Sequence, residues 1–314
     1  MAMFATKRTG AIKAAVILGA VALSLGVSTG QLTAATASTN VSSNQEYSVA
    51  AQQPGVVSTA IYADSRPDVF ARAGAARDAF GFPVGAKRSG RHVHDGFQKS
   101  DYDEVSEVDS SNKPLSMTQF DAGGNLLSAV RFDTDPGQTA AASGDSAVKS
   151  AQRGLAASGM PVSGQPRTQA NTVTGGWDIQ WDRVEAGFAV RGDETHVHVW
   201  QNGKIQSVAR VQHDLAPAPD QRLGQAQAHQ AVDGRMSSWL AGTASGYSIQ
   251  AMDMEWVGPN AAFDTSKLGQ APEPYRLAWV ANVKPSGAAA DGITLITLFV
   301  DAGDGTIIGG DVVE

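Results

Sequence analysis

Three β-hairpin signals constrain the fold of this chain more than any other feature of its sequence. Each consists of alternating apolar or β-branched residues on both sides of a tight turn, which is Gly-Gly-Asn, Asn-Gly or Asp-Gly. They lie at residues 117–132, 197–211 and 295–309. Such turns between alternating runs are the strongest short-range evidence for a hairpin, because glycine adopts the positive φ that the turn requires. The sequence therefore predicts three antiparallel hairpins.

A helical pattern precedes each hairpin, and proline-rich breaks separate the repeats. The helical patterns cover Arg66 to Phe80, Ser143 to Met160 and Leu223 to Leu240, and the breaks lie at 135–137 and 216–220. We therefore expect an α+β protein of tandem small modules, each with one helix packed on an antiparallel sheet. The expected modules span residues 64–140, 141–219 and 220–314.

Residues 1–37 have the three parts of a secretory signal peptide. Basic residues come first, an apolar run from Ala14 to Val27 follows, and Ala35-Thr36-Ala37 forms a small-x-small cleavage site. The apolar run is shorter than the roughly 20 residues that span a bilayer as a helix; the alternative is that it remains as an uncleaved anchor. We expect a secreted or cell-envelope protein without a membrane span after cleavage. Residues 38–63, which are rich in Ser, Thr, Asn, Gln and Ala, are interpreted as a flexible spacer.

Composition excludes several classes of partner and chemistry. The chain has no cysteine, so it has no disulfides, thiolate nucleophiles or Cys-ligated metals. It has 24 basic and 31 acidic residues, and removing the three basic residues of the signal peptide leaves 21 against 31, a net charge of −10. Nucleic acids and anionic membrane surfaces bind basic patches. The sequence therefore argues against both as partners.

Two segments carry a recognisable family pattern. Residues 177–200 read WDIQWDRVEAGFAVRGDETHVHVW, and residues 275–283 and 293–311 read YRLAWVANV and ITLITLFVDAGDGTIIGGD. These segments resemble PepSY domains and the related N-terminal propeptide regions of thermolysin-type metalloproteases. The residues on the family pattern are Trp177, Trp181, Arg183, Gly192, Asp193, Trp279 and Asp301. We expect most of them to be structural, with Arg183 and Asp193 paired across the sheet.

The resemblance implies small non-catalytic modules that act as inhibitors, chaperones or binding modules for extracellular peptidases and envelope proteins. The propeptide versions precede a catalytic domain with a His-Glu-x-x-His motif, which does not occur in this sequence. We therefore expect a protein that has neither catalytic residues nor a cofactor. It is expected to bind an extracellular peptidase or an envelope protein, either by inhibiting it or by simple binding. An exposed strand is the expected docking edge, because an unpaired edge pairs with an extended chain. A purely structural role in the envelope is an alternative.

Two His-x-His pairs are the main candidates for a metal site. Alternate residues of a strand point the same way, so His196 and His198 could both face one metal ion. The other pair, His92 and His94, lies in a glycine-rich stretch that reads as a loop. Nearby residues that could complete a three- or four-ligand zinc site are Asp95 for the His92/His94 pair, and Asp193, Glu194 or His213 for the His196/His198 pair.

We favour a structural interpretation of the His196/His198 pair and predict no metal site. In that interpretation Val197 and Val199 are core residues, while His196, His198 and Trp200 line a solvent-facing or half-buried surface of the sheet. The competing hypothesis is a metal-assisted hydrolase that uses His196 and His198.

Acidic and tryptophan residues receive structural interpretations as well. The acidic run between residues 101 and 109 is interpreted as a solvated strand or loop face, with weak cation binding as the alternative. All six tryptophans lie in the second and third expected modules. We expect them in the core, because tryptophan is highly buried on average, and an aromatic binding platform is the alternative.

Overall fold

The computed structural model describes residues 56–61, 66–95, 100–132, 142–172, 175–241, 243–263, 268, 272–287 and 292–313. Its elements are β1 (Val56–Ile61), α1 (Pro67–Phe80), β2 (Lys87–Asp95), β3 (Ser100–Val108), β4 (Pro114–Asp121), β5 (Leu126–Arg131), α2 (Gly144–Ala157), β6 (Arg167–Ala170), β7 (Gly176–Glu185), β8 (Phe188–Trp200), β9 (Ile205–Val211), α3 (Gln225–Trp239), β10 (Ser245–Val257), β11 (Arg276–Gly287), β12 (Leu295–Asp301) and β13 (Ile307–Val313). After β1, the described elements repeat one order three times, a helix followed by four strands.

The predicted local elements are confirmed. Helices α1, α2 and α3 lie where the helical patterns predict them, and β4–β5, β8–β9 and β12–β13 are the three predicted hairpins. Within each helix-and-four-strand set, consecutive strands are hydrogen-bonded neighbours.

The prediction of separate small modules is wrong. The strands form one 13-stranded mixed sheet, in which β5 pairs antiparallel with β9 and β8 pairs parallel with β10. The physical reason is that each four-stranded set has an outer strand with unpaired backbone groups, which are satisfied by pairing with the next set. Turn signals are local and carry no information about these pairings.

The described residues divide into two compact units. The first holds the described residues up to Trp181 together with Thr195–Arg210. The second holds Asp182–Glu194 and the described residues from Val211 onward. Strands β7 and β8 each contribute residues to both units.

In the first unit two helices share one core. Buried residues of α1, including Val69, Phe70 and Ala73, belong to the same cluster as Ala147 and Leu155 of α2. The two helices approach closely because Gly154 of α2 has no side chain. A Cβ at Gly154 would lie 2.6 Å from Ile205 Cδ1 and 3.1 Å from Phe80 Cδ1. One helix per sheet therefore does not describe this unit.

The second unit has its own core beneath α3. Ala228, Val232 and Met236 on one face of the helix pack against buried residues of β11 and β12, among them Val283 and Leu298. The hairpin β12–β13 lies in this unit, and its turn forms part of the candidate site described below.

The acidic run on β3 is not a solvated face, which corrects the prediction. Asp103, Glu104 and Glu107 are buried, because arginines from neighbouring elements neutralise them. Arg66 contacts Asp103 at 2.9 Å and Arg91 contacts Glu104 at 2.7 Å. Glu107 accepts from Arg77 at 3.2 Å and Arg88 at 2.9 Å. Buried carboxylates are tolerated when such partners compensate the lost hydration.

The predicted signal peptide lies outside the described residues, as does the predicted spacer before Val56. The last part of that spacer differs from the prediction, because β1 is an edge strand paired antiparallel with β2. Among the described residues, no helix is long and apolar enough to cross a membrane.

A matched pair of glycine substitutions tests the shared core of α1 and α2. Replacing a helical glycine with alanine ordinarily stabilises a protein by about 0.5–1 kcal/mol. Gly154→Ala is expected to destabilise instead, by about 1–3 kcal/mol, because the new methyl group overpacks the contact with Ile205 and Phe80.

Gly234→Ala in α3 is the control, since a Cβ there meets no atom within 4 Å. It is expected to stabilise by about 0.5–1 kcal/mol. Equilibrium urea unfolding measures both free energies. A stabilising effect of Gly154→Ala would contradict the shared core.

Candidate functional site

The predicted histidine pair on β8 is arranged around one aspartate. His198 Nδ1 lies 2.7 Å and His196 Nε2 3.8 Å from Asp178 Oδ1. Val197 and Val199 are fully buried, as predicted. His198 and Trp200 are also buried, at 4% and 6% exposure, so this face is more enclosed than the predicted half-buried surface.

The titration of this group favours a neutral His196 beside a charged Asp178. Burial lowers the pKa of His196, and the charge of His198 lowers it further, against the opposing effect of Asp178. Burial alone would raise the pKa of Asp178, but hydrogen bonds from His198 and Asn171 bring it below its ordinary value. Among the described residues, no group of three His, Asp or Glu side chains is placed to hold a metal ion.

The first histidine pair lies on a strand rather than in the predicted loop. His92 and His94 are on β2, and each faces an aspartate on β3. His92 Nδ1 is 2.8 Å from Asp103 and His94 Nδ1 is 2.6 Å from Asp101. Both are cross-strand pairs that hold β2 to β3.

Two tryptophans of the family pattern hold the starts of helices. The Trp177 indole donates to the carbonyl of Ala142 at 2.9 Å, just before α2. The Trp279 indole donates to Leu223 at 3.0 Å, just before α3. Trp181 is buried in the core of the first unit at 2% exposure. The remaining tryptophans do not all follow the core prediction, because Trp239 is 43% exposed.

Three other residues of the family pattern, Arg183, Gly192 and Asp193, lie together in the second unit, where the buried carboxylate of Asp193 holds three groups. Asp193 on β8 has a completely buried side chain. Arg183 on β7 contacts it at 3.0 Å, as predicted. His213 approaches Asp193 through its backbone N–H at 2.9 Å and through Nδ1 at 2.5 Å. Gly192 precedes Asp193 with φ of 82°, a conformation that glycine adopts without strain.

This carboxylate anchors the chain segment after β9. Arg183 also donates to the carbonyl of His213 at 2.9 Å, so the backbone N–H and the carbonyl of His213 are both held. Beyond His213, the segment runs parallel to the chain at Tyr275, just before β11. The backbone N–H of Tyr275 donates to the carbonyl of Asp214 at 2.7 Å, and the backbone N–H of Ala216 donates to the carbonyl of Tyr275 at 2.8 Å. The segment from His213 to Pro219 is called the anchored segment below.

Tyr275 completes the anchor from the other side. Its ring stacks on the His213 imidazole with centroids 4.2 Å apart and an interplanar angle of 12°. Its hydroxyl is 3.4 Å from His213 Nε2. Burial and the charge of Asp193 raise the pKa of Tyr275 to about 12, so the phenol stays neutral near pH 7.

The anchored segment forms one wall of an open cleft of about 160 Å³. The lining residues are Pro217, Pro219, Arg276, Leu277, Asp301, Gly303 and Asp304. The two prolines belong to the proline-rich break at residues 216–220. The sequence predicts that break between modules, but it does not predict that the break lines a cleft. Arg276 and Tyr275 carried no signal of their own in the sequence, since their importance depends on which segment lies beside them.

The opposite wall is the turn between β12 and β13. Asp301 is buried at 4% exposure and binds Arg276 at 2.8 Å through Oδ2. Its Oδ1 accepts from the backbone N–H groups of Gly303 at 2.8 Å and Asp304 at 3.2 Å. Asp301 therefore fixes both the turn and the position of the Arg276 guanidinium.

Comparison with known proteins finds likeness only among solved structures. No protein-family model and no curated protein matches the chain. Among solved structures, the chain is similar to the Bacillus megaterium YpeB C-terminal domain, with 12% sequence identity and a TM-score of 0.39 over 78% of this chain and 97% of that one. A likeness of this strength carries no argument about family or function. The resemblance to PepSY domains stays a prediction.

The raised pKa of Tyr275 predicts a loss of stability in alkali. A group with a raised pKa in the folded state contributes stability that is fully present below its unfolded pKa, about 10 for tyrosine, and is lost as pH rises through the folded value. The free energy of unfolding is therefore expected to fall between pH 10 and about 12, and Tyr275 contributes to that fall.

Urea unfolding of the chain and of Tyr275→Phe, at a series of pH values from 9 to about 12, measures this contribution. The difference in unfolding free energy between the two proteins is expected to change across that window and to be constant below it. Tyr102 and Tyr247 also have raised pKa values, but both are present in each protein. A difference that does not change with pH would contradict the assignment.

Proposed function

We propose that this chain is an exported, non-catalytic protein that binds an extracellular peptidase or another envelope protein and restrains it. The proposal of export depends on the sequence of residues 1–37, and the proposal of partner class on the resemblance to PepSY domains. The structural support for binding is one long strand edge that has no partner strand among the described residues.

That edge belongs to β10. The strand pairs with β11 along its length, but on its other side it pairs with β8 only at Glu255 and Trp256. The stretch Gly246–Asp253 has no second strand partner within the described residues. It is longer than β1, with 6 residues, or β6, with 4. An extended segment of a partner can add to such an edge through main-chain hydrogen bonds.

The last strand of the sheet, β13, shows how the backbone groups of a strand edge can be covered without a partner strand. At Ile308 and Gly310 the outer side of β13 is covered by Asn260. Its backbone N–H donates to Ile308 at 3.0 Å, and its side-chain amide exchanges hydrogen bonds of 3.0 and 3.1 Å with Gly310. On β10, within the part of the chain that the structure describes, the comparable cover is one 3.4 Å hydrogen bond from the Gln225 side chain to the Met252 carbonyl.

A bulge in β10 provides a way to block the edge without breaking the sheet. Ile249 pairs with Val283 and Ala251 with Asn282, which leaves Gln250 without a partner on β11. Proline is tolerated at bulges and on edge strands because it removes no ladder hydrogen bond there. Gln250→Pro therefore blocks pairing of an incoming strand, and Gln250→Ala is the matched control that only removes the side chain.

The test uses the immobilised purified chain against culture fluid and envelope fractions of its source, with retained proteins then assayed individually. The expected partner binds the chain and Gln250→Ala equally and binds Gln250→Pro about tenfold more weakly, a change of about 1.4 kcal/mol. If the partner is a peptidase, the chain is expected to slow its cleavage of a protein substrate in proportion to occupancy.

Thermal melting of both variants shows whether they fold like the parent chain. The proposed function fails if no peptidase or envelope component binds the folded parent chain. The role of the β10 edge fails separately if a partner binds and a folded Gln250→Pro variant binds it equally well.

A further inference from the structure

We propose that the cleft between the anchored segment and the β12–β13 turn binds one lysine or arginine side chain of a partner protein. The identity of the partner rests on the proposed function, whereas the chemistry of the cleft does not depend on the β10 edge. The charge, the walls and the rigidity of the cleft all favour such an occupant.

The residues that line the cleft carry one more negative than positive charge. Arg276 is neutralised by Asp301 at 2.8 Å. Asp304 remains, and its Oδ1 accepts from the backbone N–H of Thr306 at 2.9 Å and from its hydroxyl at 2.7 Å. Burial would raise the pKa of Asp304, but the hydrogen bonds from Thr306 and the charge of Arg276 lower it below its ordinary value. Asp304 is therefore a carboxylate near pH 7, and its exposed side chain can pair with a cationic group.

The walls suit a cation on an apolar stem. Pro217, Pro219 and Leu277 provide the apolar part of the lining. A volume of about 160 Å³ is similar to the ~150 Å³ of an engineered cavity that binds benzene, and hence to one side chain. Lysine and arginine bury their methylene stems along apolar surfaces while the charged end makes polar contacts. A metal ion is a poorer occupant, because the described residues place no group of three suitable ligands together.

Both walls are fixed before a ligand arrives. Asp301 holds the turn by accepting hydrogen bonds from the backbone N–H groups of Gly303 and Asp304. The carbonyl of Ala302 accepts from the N–H of Leu223 at 2.8 Å, and the N–H of Ala302 donates to the carbonyl of Leu277 at 2.9 Å. The anchored segment is held by the contacts of Asp193 and Arg183 with His213. Preorganised walls lower the entropic cost of binding. This gives the buried Asp193 anchor a role in positioning the cleft.

The test uses blocked tripeptides as probes and amide NMR shifts of the turn residues 303–306 as the readout. Acetyl-Gly-Arg-Gly-amide and acetyl-Gly-Lys-Gly-amide are expected to cause saturable shifts with dissociation constants on the order of 1 mM, as suits a single side chain. The norleucine tripeptide, which has an apolar side chain of similar length and no charge, is expected to bind at least about tenfold more weakly. Raising the salt concentration is expected to weaken the charged probes alone.

Asp304→Asn is the decisive variant, because its amide oxygen can still accept from Thr306 while the charge is lost. It is expected to bind the arginine probe at least about tenfold more weakly. Asp145→Asn, which removes an exposed carboxylate in the first turn of α2, is expected to leave binding unchanged.

Three results would overturn the proposal: no saturable shift at the turn, equal binding of the norleucine probe, or unchanged binding by Asp304→Asn. Free L-arginine is the remaining arm. If it binds at least about tenfold more tightly than the blocked peptide, the ligand is a free amino acid and not a protein side chain. A failed cleft leaves the retention experiment on β10 unaffected, so the two proposals fail independently.

Discussion

Pairing of strand edges determines how this chain folds. Ser128, Ala129 and Val130 of β5 pair with Ala209, Val208 and Ser207 of β9. This short ladder joins the first helix-and-four-strand set to the second, and it accompanies the packing of α1 and α2 in one core. A backbone edge that is neither hydrated nor paired is costly. Asn260 covers β13 at Ile308 and Gly310, and the unpaired part of β10 is where partner binding is proposed.

Buried carboxylates connect elements of the fold in addition to the hydrophobic core. Asp103 and Glu107 of β3 bind Arg66, just before α1, and Arg77 of the helix, while Asp193 holds the segment after β9. Removing one partner of such a pair leaves an uncompensated charge, which costs about 3–5 kcal/mol, although the intact pair adds little net stability. These pairs are better understood as positioning devices. Asp193 and Asp301 apply the same chemistry to the two walls of the cleft.

Sequence reasoning predicted the elements whose signals are local. The turns at Asn202-Gly203 and Asp304-Gly305 identify their hairpins, because glycine and its neighbours determine the turn irrespective of context. The Arg183–Asp193 pair was also predicted, since both residues belong to one family pattern. The acidic run on β3 was misread because its arginine partners lie on α1, β2 and the residue before α1. The cleft was missed for a similar reason: Pro217, Arg276 and Asp304 are distant in sequence, and strand pairing brings them together.

The first two helix-and-strand sets are fused through one core rather than built as independent modules. Native-state hydrogen exchange in increasing urea distinguishes the two arrangements, because each cooperative unit reveals its own opening free energy. The buried amides of α1 and α2 are expected to share one opening free energy and one dependence on urea. If α1 exchanges through a distinct opening of lower free energy and smaller urea dependence while α2 stays protected, the fused core is contradicted.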